Sequence, residues 1–127
     1  MINGSCLCGG VTYDLAGTLR NSVACHCQQC RKTSGHYVSA TQVDAGHLTV
    51  TKDETLTWYR SSSAAERGFC NRCGSSLFWR HDDDNGATSV MSGTLDGVTG
   101  IHTEKHIFVA NKGDYYQIAD GTPQHDS

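Results

Sequence analysis

The chain has 127 residues, a formal net charge of −3 and seven cysteines. This length predicts a single domain over residues 1–127 with one core. The acidic balance would repel phosphate backbones and anionic headgroups, which argues against nucleic-acid and membrane partners. No apolar run approaches the roughly 20 residues that span a bilayer, and the first residues lack a basic region followed by an apolar stretch. We therefore expect a cytoplasmic protein.

The predicted elements are mostly short strands. Alternation of apolar and polar residues, together with many β-formers, predicts strands at 11–15, 36–43, 47–51, 56–60, 77–80, 87–91 and 106–109. A short helical turn is expected after Cys30, with Gly35 suited to end it. No stretch shows a long 3.6-residue period, so the predicted fold class is all-β. Residues 113–127 are expected to pack loosely, most of all at 123–127.

An acidic turn is predicted at His81–Gly86. Its three adjacent carboxylates, Asp82, Asp83 and Asp84, raise the possibility of a calcium site. Consecutive side chains do not converge as the alternating ligands of a calcium loop do. A solvated turn explains this segment sufficiently.

The cysteines occur in CxC and CxxC spacings, which are typical of metal thiolates. A reducing cytoplasm disfavours structural disulfides, and the odd number cannot pair completely. Zinc fits soft thiolates at short spacing better than magnesium or calcium does, and iron is the competing ion.

Four of the cysteines can saturate one ion. Cys6 and Cys8 lie in a glycine-flanked turn before a strand, and Cys70 and Cys73 form a CxxCG knuckle. Together they would join segments some 60 positions apart, which predicts a structural zinc site whose loss unfolds the chain. The alternative for Cys6 and Cys8 is a pair of small buried apolar residues.

The other three cysteines, Cys25, Cys27 and Cys30, form a CxCxxC run without an obvious fourth ligand. An open position separates catalytic zinc from structural zinc, so this run is the candidate active site. The alternative is that His26, His36, His106 or a carboxylate closes the coordination sphere and makes the site structural. His26 itself would point away from its two neighbouring ligands in an extended segment, as a supporting or solvent-facing group.

Three thiolates make this predicted centre electron-rich. Such a centre acidifies bound water less well than a site with neutral ligands, but it can hold a bound thiol as a nucleophile. A small aldehyde could then add to the sulfur. Arg31 and Lys32 could lower the pKa of the cysteine thiols, or could simply be solvated surface cations.

Three stretches, Gly4–Val11, Cys25–Arg31 and Phe69–Ser75, resemble the glutathione-dependent formaldehyde-activating enzyme family, a domain shared with centromere protein V. The segments His106–Lys112 and Asp120–Gln124 are similar to that family as well, so the resemblance spans nearly the whole chain.

The resemblance implies an all-β fold of the β-tent type with two zinc ions. It implies structural zinc on the four-cysteine set and catalytic zinc on Cys25, Cys27 and Cys30. The implied activity is that of a carbon–sulfur lyase that joins glutathione to formaldehyde or cleaves the S-hydroxymethyl adduct. Candidate partners for the carboxylates of glutathione are Arg31, Lys32, Arg67 and Lys112.

Two functions from different classes follow from these observations. The first is a zinc-dependent carbon–sulfur lyase acting on a small-molecule thiol and an aldehyde. The second is a non-catalytic zinc-binding module whose sites only maintain an interaction surface. Nucleic-acid binding, by analogy with centromere protein V, is disfavoured by the net charge and by the lack of a basic tail.

Overall fold

The architecture is described from a computed structural model, which covers residues 1–83 and 86–127. Within these residues, short strands predominate and one seven-residue α-helix occurs. The strands are β1 Ile2–Ser5, β2 Val11–Leu15, β3 Ser22–Cys25, β4 Val38–Val43, β5 Leu48–Asp53, β6 Leu56–Arg60, β7 Ala65–Cys70, β8 Ser76–His81, β9 Thr88–Met91 and β10 Thr103–Ile107. The helix α1 is Gln28–Ser34. The prediction of an all-β fold is confirmed.

The strands form two sheets. The small sheet has the order β1-β2-β5, and the large sheet has the order β10-β3-β4-β9-β8-β7-β6. All neighbours in the sheets pair antiparallel except β10 and β3, which are parallel and place Ile107 opposite Cys25. The parallel pair therefore brings the C-terminal part of the chain beside the CxCxxC run.

The principal core lies between the two sheets. Tyr13 of β2 packs edge-on against Phe78 of β8, with ring centroids 5.2 Å apart. Such aromatic pairs stabilise a core beyond the area that they bury. Cys6 and Cys70 belong to the same buried cluster and Cys73 packs against it, so the four-cysteine site adjoins the core.

Three strands, β1, β3 and β7, were absent from the predicted set. β7 has strand partners on both sides, since it pairs with β6 and β8. β1 carries the polar sequence Ile2-Asn3-Gly4-Ser5, and its Gly4 lies opposite Tyr13, where a Cβ would come within 2.2 Å of the Tyr13 ring. β3 is only four residues long and enters the sheet by pairing with β4 and β10. The predicted helical turn is present as α1, and Gly35 ends it with a φ of 83°.

The C-terminal segment differs from the expected loose tail. The amide of His106 donates to the carbonyl of Pro123, and the amide of His125 donates to the carbonyl of His106. The side chains of residues 123–127 are exposed, but this backbone pairing ties the segment to β10.

The structure describes only part of the predicted acidic turn. Asp82 forms an ion pair with Arg60 across the strand ends, whereas Asp84 lies outside the described residues. No helix within the described ranges combines the length and apolar character needed to cross a membrane.

Candidate metal centres

The four-cysteine cluster joins the turn after β1 to the knuckle after β7. Cys8 Sγ lies 3.6 Å from the sulfurs of both Cys6 and Cys70, and all four sulfur atoms, including that of Cys73, lie within 4.8 Å of one another. Tetrahedral zinc with Zn–S bonds of about 2.3 Å separates its sulfurs by about 3.8 Å. The donor set therefore fits a tetrahedral zinc ion.

The surroundings of this cluster favour thiolates. The amides of Arg72 and Cys73 each donate to Cys70 Sγ over 3.4 Å, and the guanidinium of Arg72 donates to Cys8 Sγ over 3.3 Å. Gly74 has a φ of 82°, which the tight turn of the knuckle requires. These donors stabilise negative charge on the sulfurs, as a metal site needs.

The pKa values of the thiols reflect this environment. Hydrogen bonds from the side chain and amide of Ser75 lower the pKa of Cys73 to about 5. Burial acts to raise the pKa of Cys70, but bonds from Thr55 and from the amides of Cys73 and Arg72 bring it to about 7. Burial raises the pKa of Cys6. The knuckle after β7 thus holds the two thiols whose pKa is lowered.

The three-cysteine cluster is built where β3 passes into α1. Cys25 ends β3, Cys27 caps the N-terminus of the helix, and Cys30 lies in its first turn. The Cys27 sulfur accepts the Cys30 amide hydrogen over 3.3 Å. The three sulfurs lie within 4.8 Å of one another, and no fourth His, Cys, Asp or Glu atom joins them among the described residues. The donor set fits three positions of a tetrahedral zinc ion.

The pKa values in this cluster diverge. A hydrogen bond with Cys30 lowers the pKa of the Cys25 thiol, and the same bond, together with burial, raises the pKa of Cys30. Burial also raises the pKa of Cys27. Without a cation, the pKa is lowered for only one of the three thiols. A bound cation would stabilise all three as thiolates.

The cation Arg67 of β7 contacts this cluster through a hydrogen bond. Its Nε donates to Gln29 Oε1 over 2.8 Å, and its Nη2 lies 3.7 Å from Cys30 Sγ. Of the four cations predicted to serve substrate carboxylates, only Arg67 lines the adjoining cavity. Arg31 donates instead to the Asn111 carbonyl, and Lys112 donates to backbone carbonyls of the tail.

His26 is directed away from the sulfurs, as predicted, but into a buried network. It is completely buried, and one hydrogen bond joins its Nε2 to His106 Nδ1 over 2.8 Å. Its Nδ1 is hydrogen-bonded to the Tyr116 hydroxyl, and His106 Nε2 donates to Asp120 over 2.7 Å. Burial and the nearby His106 lower the pKa of His26 to about 4, so this ring is neutral at pH 7.

A cavity of about 470 Å³ opens against the three-cysteine cluster. It lies on one face of the large sheet and includes Cys25, Cys27 and Cys30 in its lining, but none of the other four cysteines. The apolar part of the lining comes from six strands, the residue before β7 and the segment after β10. It consists of Val23, Val38, Ala40, Ala64, Ala65, Trp79, Met91, Ile107 and Phe108.

Several residues of this region escaped the sequence prediction. Arg20 precedes β3 in a segment without a motif, yet it lines the cavity. Phe108 lies at the cavity with a φ of 54°, and it is the only non-glycine residue with positive φ within the described ranges. The period-two pattern of β4 indicated which residues share a face, but no local signal indicated that this face would meet Arg20.

The fold and the two clusters define a small β-protein with two cysteine sites that can each hold a metal ion. The model of the family described as glutathione-dependent formaldehyde-activating enzyme matches residues 1–111. The chain belongs to this family.

Individual relatives agree with this assignment. An uncharacterised lyase of Schizosaccharomyces pombe is 27% identical over 122 residues, covering 94% of this chain and 86% of that protein. A protein of Halomonas elongata, provisionally named glutathione-dependent formaldehyde-activating enzyme, is 28% identical over 127 residues, covering 93% and 81%. The crystal structure of a Rhodobacter sphaeroides protein superposes with a TM-score of 0.65 at 26% identity, covering 77% of this chain and 91% of that one.

Proposed function

We propose that the chain is a zinc-dependent carbon–sulfur lyase that forms or cleaves the S-hydroxymethyl adduct of a thiol. The observation that carries this proposal is the cavity of about 470 Å³ against three sulfurs that lack a fourth ligand among the described residues. Cys25, Cys27 and Cys30 would hold the catalytic ion, and Cys6, Cys8, Cys70 and Cys73 would hold a structural one. Zinc on three thiolates would supply a Lewis acid that keeps a substrate thiol ionised at neutral pH.

The reaction conserves atoms and charge without a redox partner. In the forming direction, a lone pair of the substrate sulfur makes the S–C bond while the C=O π bond of the aldehyde breaks. The thiol releases its proton to water when it ionises, and the carbonyl oxygen, which gains negative charge, takes a proton back from water. In the cleaving direction, the same hydroxyl loses its proton and the S–C bond breaks.

Arg67 is placed to stabilise the charge that develops on this oxygen. Its guanidinium is beside Cys30 and faces the cavity, and its Nε is held by Gln29. A fixed cation of this kind favours the charged transition state over the neutral carbonyl, which is the usual route to rate enhancement by electrostatics. Apolar neighbours such as Val38 and Met91 strengthen this effect because they exclude water.

The direct test is NMR exchange spectroscopy of the zinc-loaded protein with ¹³C-formaldehyde and a panel of thiols. The adduct forms spontaneously, so the expected result is an exchange rate above that of the same mixture without protein. Cys27→Ala should remove the acceleration and keep the dispersed protein spectrum. If no thiol shows acceleration, the chain is the non-catalytic zinc-binding module instead.

A further inference from the structure

Strand β4 forms a straight wall of the cavity that begins at the three-cysteine cluster. Its residues Val38, Ala40 and Gln42 all line the cavity, as alternate residues of a strand do. Val38 lies opposite Cys25. Successive residues rise about 3.3 Å along a strand, so the wall extends about 13 Å from Val38 to Gln42.

Arg20 lies at the far end of this wall. Its Nη2 donates to the Ala40 carbonyl over 3.1 Å, and its Nη1 donates to Gln42 Oε1 over 3.4 Å. These two contacts place the Arg20 guanidinium beside Ala40 and Gln42, which lie two and four residues along β4 from Val38. The distance from Val38 along the strand is therefore about 7–13 Å. The cavity therefore has the three cysteine sulfurs at one end and the Arg20 guanidinium at the other.

This cation lacks a carboxylate partner in the part of the chain that the structure describes. Arg20 is half-buried, and no described Asp or Glu oxygen lies within 4.0 Å of its nitrogens. Burial lowers the pKa of Arg20, and the charge of Glu104, which is not within 4.0 Å of the guanidinium nitrogens, acts in the opposite direction. Three of its five N–H groups are occupied by Asn21, Ala40 and Gln42, and two are left for a ligand. A half-buried arginine with unused donors facing a cavity is suited to a carboxylate.

The rest of the lining is unsuited to an ammonium group. No aspartate or glutamate is among the described residues that line the cavity, and the floor between the cysteines and Arg20 consists of Val23, Val38, Ala40 and Met91. A cationic group of a ligand would lose its hydration there without gaining a counter-charge. Glutathione carries an α-ammonium beside one of its carboxylates, so it matches this cavity only in part.

On the basis of the proposed lyase function, we propose that the substrate is a thiol carboxylate with an apolar body and without an amino group. Its sulfur lies at Cys25, Cys27 and Cys30, and its carboxylate, about 7–13 Å away, is held by Arg20. Arg20 is thus the specificity-determining residue of the cavity, and Arg67 remains available for the aldehyde oxygen.

The test uses thiols of matched length that differ in their terminal group. Binding to the zinc-loaded protein is measured by anaerobic calorimetry without aldehyde, for mercaptohexanoate, mercaptohexanol, aminohexanethiol, mercaptopropionate and glutathione. A charge-assisted, partly buried contact predicts about tenfold tighter binding of mercaptohexanoate than of the alcohol. The amine, glutathione and the shorter mercaptopropionate, which cannot reach from the cysteines to Arg20, should bind more weakly than mercaptohexanoate.

Two variants test whether Arg20 causes the preference for the acid over the alcohol. Arg20→Met should reduce the acid-to-alcohol ratio to about one, because the ratio depends on the single charge at this end. Lys52→Met removes the same charge from an exposed residue outside the cavity lining and should leave the ratio unchanged. Should Arg20→Met not fold, the wild-type comparison of acid with alcohol still decides the question.

The outcomes separate this inference from the proposed function. Equal binding of acid and alcohol by the wild type, or tighter binding of glutathione than of mercaptohexanoate, would overturn the inference. The lyase function would not be affected, because the NMR exchange rates test it separately. Selective binding of the acid without acceleration for any thiol would overturn the lyase function. In that case the cavity would be a binding site for thiol carboxylates.

Discussion

His26 and His106 are joined by a hydrogen bond of 2.8 Å between two buried rings that are 80 positions apart in the chain. His26 stands between two cysteines of the candidate active site, and His106 lies on β10, which Asp120 of the C-terminal segment contacts. The bond therefore connects the conformation of the CxCxxC run to the tail. His26 is completely buried and His106 almost completely, so water does not readily replace either partner of this bond.

His106→Leu should destabilise the zinc-loaded protein by about 1–3 kcal/mol, because it leaves a nitrogen of buried His26 without a partner. Urea denaturation followed by circular dichroism measures the change. His36→Leu is the matched control, since His36 is exposed and should cost less than about 0.5 kcal/mol. Equal losses in the two variants would contradict the role of the buried bond.

Asp120→Asn should lower the melting temperature by a constant amount between pH 5 and 8. Hydrogen bonds from His106 and from Thr122 lower the pKa of Asp120 to about 2, below its ordinary value of 3.8. A carboxylate with a lowered folded-state pKa contributes its full stability above about pH 4 and loses it as the pH falls through 2. Thermal melts at several pH values test this, and a difference that disappears between pH 8 and 5 would show that another group controls the contact.

Cys27→Ala and Cys70→Ala should differ in their effect on folding. Cys70 lies in the core and in the cluster whose zinc would link two distant segments, and a structural zinc ion contributes about 10 kcal/mol or more to folding. Its loss should unfold the chain, whereas Cys27→Ala should keep the fold and lose one of two zinc equivalents. Metal analysis and circular dichroism report both quantities. Complete unfolding of Cys27→Ala would remove the distinction between a structural and a catalytic site.

Arg67→Met should reduce the turnover rate about a hundredfold while changing thiol binding little, because the guanidinium acts on charge that appears only during reaction. The NMR exchange assay with saturating thiol measures the rate. Arg60→Met serves as the control, since Arg60 pairs with Asp82 on the surface and does not line the cavity. A loss confined to thiol affinity would instead assign Arg67 to substrate binding.

Phe108→Gly should be more stable than Phe108→Ala by about 1 kcal/mol. Both substitutions remove the ring, but only glycine adopts a φ of 54° without the steric cost that a Cβ imposes. Comparison of the two urea transitions isolates this backbone contribution from the lost contacts of the ring. Equal stability would mean that the positive φ at this position carries no strain.

The two cysteine clusters could be predicted because their information is local. CxC and CxxC spacings bring sulfurs together within a turn, and seven cysteines divide into four and three in only a few sensible ways. The strand β2 was predictable for a similar reason, since its period-two alternation records burial on one face of the strand. The glycine at 35 likewise marked the end of α1 by its left-handed conformation.

Other features were decided by the tertiary structure. β1 and β3 carry weak strand signals and exist because partners in the sheets complete their hydrogen bonds. Arg20 reaches the cavity only through the Ala40 carbonyl and the Gln42 side chain of β4, and the bond between His26 and His106 depends on parallel pairing of β3 with β10. Spacing along the chain determines which neighbouring cysteines can share an ion, because that is short-range geometry, whereas the tertiary structure brings Cys6 and Cys8 to Cys70 and Cys73. The register between distant strands decides what faces the ion, and no local pattern encodes that register.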